Sequence, residues 1–110
     1  MTGEDDEGRR SFEQRAWSDV YDSLEAAAAR RPRDAEDLER LAVAAYFVGR
    51  DERGLEAWER AHHVWLRLGD PDRAARCAFW LGLGLLIRGE AARANGWFSR
   101  GNRVIADIGA

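Results

Sequence analysis

The sequence predicts an all-α protein, a stack of about five antiparallel helices arranged as helical hairpins. The first observation is an internal repeat at an offset of forty residues, in which small residues recur as small residues and an aromatic residue recurs as an aromatic one. The second is a composition dominated by alanine, arginine, leucine and glutamate, with only two prolines. The matching pairs are Leu41 and Leu81, Ala42 and Gly82, Gly49 and Gly89, Gly54 and Ala94, Trp58 and Phe98, and Ala61 and Gly101.

Charge and composition exclude several functional classes. The 17 basic and 20 acidic residues are interleaved and give a net charge of −3, whereas nucleic-acid binding needs a basic face. Cys77 is the single cysteine, so no intramolecular disulfide forms, which fits a reducing cytoplasm. Residues 1–8 lack the apolar run of a signal peptide, and the longest apolar stretch, Cys77–Ile87, is shorter than the about 20 residues that span a bilayer. We therefore expect one cytoplasmic domain that binds neither nucleic acid nor membrane.

The chain is predicted to begin with a disordered acidic tail, residues 1–10, followed by a leading helix over residues 11–31. Four consecutive acids occupy positions 4–7, and Ser11 with Gln14 resembles a capping box. Pro32 ends the helix, because the residue before a proline avoids the α region. The core stripe is expected at Phe12, Ala16, Val20 and Leu24, widened by Trp17, Tyr21 and Ala28.

The first hairpin is predicted over residues 34–68. Asp34 caps its first helix, and Gly49 supplies the left-handed residue that ends it. The second helix runs from Asp51 to Leu68, and Gly69 ends it. The two core stripes are Leu38, Leu41, Ala42, Ala45 and Val48 on one helix and Leu55, Trp58, Ala61, Trp65 and Leu68 on the other.

The second hairpin is predicted over residues 71–108, which completes a single domain over residues 11–110. Asp70 and Pro71 form the N-cap and first turn of its first helix. The segment 78–87 is apolar all round, so we expect it to be covered on every side, and Gly82 and Gly84 indicate close approach of a neighbouring helix. The last helix has a buried stripe of Ala94, Trp97, Phe98, Gly101, Val104, Ile105 and Ile108.

Residues 35–101 resemble two tetratricopeptide-type repeats. The resemblance rests on the repeated positions given above, where small residues let the two helices of a hairpin approach and the aromatic residue fills the space between hairpins. The forty-residue spacing is about six residues longer than the usual period of these repeats. The resemblance implies a helical array that binds other molecules and does no chemistry of its own.

A longer series of residues is similar to the N-terminal tetratricopeptide region of bacterial LuxR-type transcriptional regulators. In that family the helical region continues for many repeats and ends in a helix-turn-helix DNA-binding domain. Here the sequence ends at Ala110, so only the sensor or protein-interaction half is expected. The segments that carry the similarity are Phe12–Tyr21, Glu36–Tyr46, Val48–Asp51, Ala57–His62, Gly69–Gly82, Arg88–Ala94 and Gly96–Trp97.

The residues with catalytic or ligand chemistry have simpler structural interpretations. Adjacent His62 and His63 point about 100° apart on a helix and cannot comfortably chelate one metal, so we expect surface or half-buried histidines. Cys77 starts an apolar run and is expected to be a buried, inert thiol. Four of the five tryptophans fall on core stripes, although one or two of them can serve as interface anchors; the four are Trp58, Trp65, Trp80 and Trp97. We expect no catalytic residues, no metal and no cofactor.

The best candidate for a functional surface is the face formed by the first helix of each hairpin. In tetratricopeptide arrays this face is concave and binds peptides or helices. Two alternatives remain open: this surface is a ligand groove, or it packs against a further repeat or a second copy. The matching positions here are Glu39, Val43, Tyr46, Phe47, Arg76, Phe79, Leu83, Leu86 and Ile87.

These observations lead to one main hypothesis and two others. The main hypothesis is a non-enzymatic helical-repeat module that buries a protein or peptide partner, or a second copy of itself. The second is a regulatory role related to the interaction half of a LuxR-type regulator. The third is a self-assembling or small-ligand-binding helical domain that uses the apolar surface around Trp80.

Overall fold

The computed structural model describes the backbone of residues 3–109 and the side-chain environments of residues 6–107. Over this part of the chain it is an all-α stack of five helices with no strand. None of these helices has the length and apolar character needed to cross a membrane. The five helices are α1 (Gly3–Arg30), α2 (Ala35–Phe47), α3 (Asp51–Arg67), α4 (Pro71–Ile87) and α5 (Ala91–Gly109).

The first helix differs from its prediction in both its start and its buried face. α1 begins at Gly3, so residues 3–10 are helical where a disordered tail was expected; Met1 and Thr2 lie outside the described residues. Acidic residues in a first turn suit the positive end of the helix dipole, which favours the earlier start. Phe12 is 67% exposed and Val20 is 44% exposed, so these two residues of the predicted stripe are not core, whereas Leu24 of the same stripe packs on the stack. The face that packs on the stack carries Trp17, Tyr21, Leu24 and Ala28.

Local capping signals fix the other helix ends within a residue of their predicted positions. The Asp34 carboxylate accepts a hydrogen bond from the backbone N–H of Asp37 at 3.0 Å. Asp70 does the same for the backbone N–H of Arg73 at 3.2 Å. The three helix-ending glycines, spaced twenty residues apart, all have a positive φ, which is the left-handed conformation that ends helices. They are Gly49, Gly69 and Gly89, with φ of 78°, 76° and 83°.

The helices stack in chain order, and each packs mainly against the next one. The resulting body is elongated, measuring 57 × 33 × 21 Å. Its radius of gyration of 16.1 Å exceeds the roughly 13 Å of a compact globule of this length. The shape is therefore that of a short linear array rather than of a globule.

Residues related by the forty-residue repeat have matching burial: both members of the pairs Leu41 and Leu81, Ala42 and Gly82, Gly54 and Ala94, and Ala61 and Gly101 are buried, and Trp58 and Phe98 are both partly buried. Small residues also lie at the contacts between the helices of each hairpin. A Cβ built on Gly54 in α3 would lie 3.3 Å from the carbonyl oxygen of Ala42 in α2. A Cβ on Gly101 in α5 would likewise lie 3.5 Å from the carbonyl oxygen of Ala75 in α4. Gly82 faces the ring of Phe98, the aromatic residue of its own repeat. The small residues thus bring the two helices of each hairpin into close contact, as the repeat predicted.

The expectation that α4 is covered on every side is wrong. Phe79, Trp80, Leu86 and Ile87 are 44–67% exposed, whereas Leu81 and Leu85 are buried. α4 packs mainly on α3 and α5, so these two neighbours leave one apolar face open. The prediction that Trp80 belongs to the core is therefore also wrong.

Polar side chains also link helices that are not consecutive in the chain. Arg53 of α3 donates to both carboxylate oxygens of Glu25 in α1, with bonds of 2.7–3.0 Å, and the Tyr21 hydroxyl donates to the same carboxylate at 2.8 Å. This bidentate pair fixes α1 against the first hairpin. Glu39 of α2 makes a second link, which is described with the groove below.

The N-caps provide a test of these helix boundaries. We expect Asp70→Ala to lower the free energy of unfolding by about 1 kcal/mol, because an N–H at the start of α4 loses its acceptor. Asp70→Asn retains an acceptor oxygen and should stay near wild type. Urea denaturation at pH 7 measures the difference, with Asp22→Ala on the exposed side of α1 as the control. Equal stability of Asp70→Ala and the control would contradict the cap assignment.

Candidate interaction groove

A cavity of about 560 Å³ opens between α2, α3 and α4. α2 and α4, the first helices of the two hairpins, form its walls, and α3 forms its floor with Gly54, Leu55 and Trp58. The charged residues Asp51 and Arg88 belong to its lining at the end where α2 and α4 terminate. We call this cavity the groove; its remaining lining residues are Ala42, Val43, Tyr46, Phe47, Trp80, Leu83, Gly84 and Ile87.

Aromatic side chains shape the groove. Trp58 on the floor and Trp80 on the α4 wall lie nearly parallel, with ring centroids 6.3 Å apart. At the α2 wall, Phe47 stacks on Trp17 of α1 with a centroid distance of 4.3 Å and is edge-on to Tyr46 at 5.4 Å. Large rigid aromatic rings of this kind provide most of the contact energy in protein interfaces.

A second depression lies beside the groove, between α1 and α2. Trp17, Val20 and Leu24 of α1 face Glu39, Arg40 and Val43 of α2 across it. Val43 and Trp58 line both depressions, so the two form one continuous surface across α1, α2 and α4. A ligand longer than the groove itself therefore has further apolar surface to contact.

The structure brings five of the nine predicted groove residues to one cavity. These are Val43, Tyr46, Phe47, Leu83 and Ile87. Leu86 is 47% exposed but does not line the cavity. Phe79 is half exposed and packs against Trp80 and Phe98, with centroids 5.5 and 5.8 Å apart.

The other two predicted residues, Glu39 and Arg76, are paired with each other. Arg76 of α4 donates to Glu39 of α2 at 2.9 Å, and the indole N–H of Trp65 in α3 donates to the same carboxylate at 2.6 Å. Three helices therefore meet at one carboxylate. Glu39 also lines the second depression, so this pair holds α2 and α4 together at the edge of the binding surface.

Exposed apolar side chains are concentrated on this face. Among residues 6–107, twelve large hydrophobic residues are exposed, and five of them line the groove: Val43, Tyr46, Phe47, Trp80 and Ile87. Contiguous apolar surface of this kind marks interaction sites in single domains. The groove is therefore the best candidate for a functional surface among the described residues.

Sequence reasoning missed the floor of the groove. Leu55 and Trp58 were assigned to a core stripe, and both are only partly buried because their outer sides face the cavity. Helical spacing identifies the apolar face of α3, but the gap between α2 and α4 that exposes it is a tertiary feature. An apolar stripe flanked by glycines at close helix contacts is the only signal that the sequence offered.

His62 lies in the core behind the groove and has no exposed surface. Its Nδ1 lies 2.7 Å from the carbonyl oxygen of Ala74, and since a carbonyl only accepts, Nδ1 carries the proton and donates. Its Nε2 is buried without a hydrogen-bond partner. Burial lowers the pKa of His62 below its usual 6.5, opposed in part by the bond to Ala74. His62 was expected at or near the surface, and that expectation is wrong.

Cys77 is fully buried in α4, as predicted. Burial raises the pKa of its thiol to about 12, and the Glu39 carboxylate adds to this increase. The thiolate that a nucleophile or metal ligand requires is therefore scarce at neutral pH. Among the described residues no group of three or more histidine, cysteine or acidic side chains is placed to hold a metal ion.

No family model and no curated protein matches this sequence.

The buried histidine makes stability depend on pH. Between pH 7 and pH 5 the unfolded chain takes up a proton at this imidazole that the folded chain excludes. The free energy of unfolding should therefore decrease as the pH is lowered from 7 to 5, by at most about 1.4 kcal/mol per pH unit. His62→Gln should flatten the dependence, which chemical denaturation at several pH values measures.

The control is His63→Gln, which leaves His62 in place. Hydrogen bonds from Arg53 lower the pKa of Glu25 below its usual 4.5. Protonation of Glu25, which would break its ion pair with Arg53, therefore occurs below pH 5. An unchanged slope in His62→Gln would show that another group accounts for the acid sensitivity.

Proposed function

We propose that this chain is a non-enzymatic helical-repeat interaction module that buries an apolar segment of a protein partner in the groove. The observation that carries the proposal is the groove itself, whose walls and floor are mainly aromatic and aliphatic and whose rim is charged. An amphipathic helix or peptide with anchors at helical spacing is the type of ligand that such a groove accepts.

The non-enzymatic part of the proposal is supported by where the reactive side chains lie. His62 and Cys77 are both fully buried and do not line the groove, so neither can reach a substrate there. The groove instead offers surfaces that exclude water from an apolar partner. This is the chemistry of recognition rather than of proton or group transfer.

The proposed role is regulatory, in the bacterial cytoplasm. It rests on the similarity of residues 12–97 to the N-terminal tetratricopeptide region of LuxR-type transcriptional regulators, in which this region serves as a sensor or interaction half. The interleaved charges and the net charge of −3 favour a protein partner over nucleic acid, and the proposed mode of binding uses no cofactor and no membrane.

Peptide selection tests this proposal without a known partner. Helical peptides selected by display against the immobilised chain should carry apolar residues at positions i, i+3, i+4 and i+7. Tyr46→Glu with Ile87→Glu should weaken their binding at least about tenfold, measured by fluorescence anisotropy, because two carboxylates are placed in an apolar site. Both side chains are more than 60% exposed, so the fold should tolerate the changes.

Ile105→Glu is the matched control: Ile105 was expected in the buried stripe of α5, but it is 54% exposed and lies outside the groove. Its affinity for the selected peptides should equal that of wild type. Peptides that bind the groove variant as tightly as the wild-type chain would exclude the groove as the binding surface.

A second candidate function is binding of a small apolar molecule in the same cavity. The volume of about 560 Å³ lies within the range of roughly 300–1,000 Å³ that is typical of small-molecule sites. In this case a metabolite, rather than a protein segment, would occupy the space between Trp58 and Trp80.

A thermal-shift screen separates this candidate from the first. A ligand present at one hundred times its Kd stabilises the folded chain by about 2.7 kcal/mol, which raises Tm by several degrees. Leu83→Trp places an indole inside the cavity and should abolish the shift, whereas Leu66→Trp on the exposed side of α3 should preserve it. If no aromatic or aliphatic compound in the panel raises Tm, this candidate is rejected.

A further inference from the structure

We propose that the occupant of the groove is the N-terminal half of α1 from a second copy of this chain. Two copies would then exchange these helical segments reciprocally and form a two-fold dimer. This inference rests on the proposed function, since it assigns a partner to the same groove. Four observations support it: the overhang of α1, its apolar stripe, the position of that stripe beside the groove, and the area left exposed.

α1 extends well beyond the body of the stack. Its 28 residues span about 42 Å, and the 13 residues of α2 span about 20 Å, at 1.5 Å per residue. Trp17 stacks on Phe47, the last residue of α2, which marks where α1 leaves the stack. Every described side chain from residue 6 to residue 16 is exposed. An isolated helical segment of this length is marginal in water, so a packing partner would stabilise it.

The overhang carries an apolar stripe at the spacing that a groove binds. Phe12 and Ala16 lie on the overhang, and Val20, four residues further on, continues the stripe onto the part of α1 that lines the second depression; Phe12 and Val20 are 67% and 44% exposed. Their face is distinct from the face of Trp17 and Tyr21 that packs on α2 and α3. The stripe therefore has no partner within the chain and fits the ligand class that the groove accepts.

The stripe and the groove lie side by side on one face of the molecule. Val20 lines the depression that is continuous with the groove, and Phe47 connects Trp17 to the groove wall. A two-fold interface must be self-complementary, so the same patch has to contain a projection and a recess. The overhang is the projection and the groove is the recess. In a two-fold dimer each overhang would lie in the groove of the other copy, so the same contact would form twice.

The exposed area is large enough to include a standard protein interface. The single chain exposes 7079 Å², whereas a compact monomer of this mass exposes roughly 6,100 Å². The excess of about 1,000 Å² is close to the roughly 800 Å² that each partner buries in a standard interface. A small molecule in the groove would cover only a fraction of this area. The net charge of −3 adds little repulsion between copies.

Light scattering after gel filtration tests the dimer on the full-length chain. The wild type should have twice the 12.4 kDa mass of one chain. Phe12→Glu alters only the projection and Ile87→Glu alters only the recess; each should raise the dimer dissociation constant at least tenfold. Ile105→Glu, a matched change on α5, should leave the dimer intact. All three side chains are more than half exposed, and far-UV circular dichroism verifies that each variant remains folded.

A mixture of Phe12→Glu and Ile87→Glu distinguishes this exchange from other pairings. The heterodimer retains one contact in which both the projection and the recess are wild type, so dimers should reappear on mixing although each variant alone is monomeric. Direct pairing of two overhangs predicts that Ile87→Glu still dimerises, and pairing of two grooves predicts that Phe12→Glu still dimerises. Either of these results overturns the proposed exchange.

A wild-type chain that stays at 12.4 kDa from micromolar to millimolar concentration overturns the dimer. The peptide-binding measurement then decides the proposed function independently, because it uses selected peptides and needs no second copy. Loss of the dimer in Ile105→Glu alone would place the interface on α5 and would also overturn the proposal.

Discussion

The close approach of neighbouring helices at small residues is the constraint on which the rest of this structure depends. A Cβ at Gly54 would lie 3.3 Å from a backbone carbonyl oxygen of the preceding helix, which is tighter than an ordinary contact, and a Cβ at Gly101 would lie in direct contact with one at 3.5 Å. Eleven of the nineteen buried hydrophobic residues are accordingly alanine. Because alanine fills the contacts within each hairpin, the large apolar side chains lie between hairpins or on the surface.

The exposed apolar face follows from this core. Alanine buries little area, and hydrophobic stabilisation is roughly proportional to the apolar area removed from water. Leu38, Leu41, Leu81 and Leu85 are among the few large side chains that are fully buried. Any partner that binds only the folded chain stabilises it, so a ligand in the groove would add to the stability of the fold.

The sequence predicts those features of the fold that depend on local chemistry. Asp34, Gly49 and Pro71 act within a single turn, so the ends of α2, α3 and α4 can be read from them. The buried face of α1 could not be chosen in this way, because Phe12–Ala16–Val20 and Trp17–Tyr21–Leu24 both have helical spacing. Only the position of α2 decides which of these stripes is covered, and that position is a tertiary property.

In the candidate site, too, some features can be predicted from the sequence and others depend on tertiary packing. The repeat assigns α2 and α4 to one face, which was sufficient to identify Tyr46 and Ile87, but the depth of the groove depends on α3. Gly84 of α4 faces Leu55 of α3, and a Cβ at Gly84 would lie 2.9 Å from the Cδ2 atom of Leu55. A side chain at Gly84 would thus displace Leu55, which lines the groove floor. The glycine costs helix propensity within α4 and in return lets α4 lie close enough to α3 to form the recess.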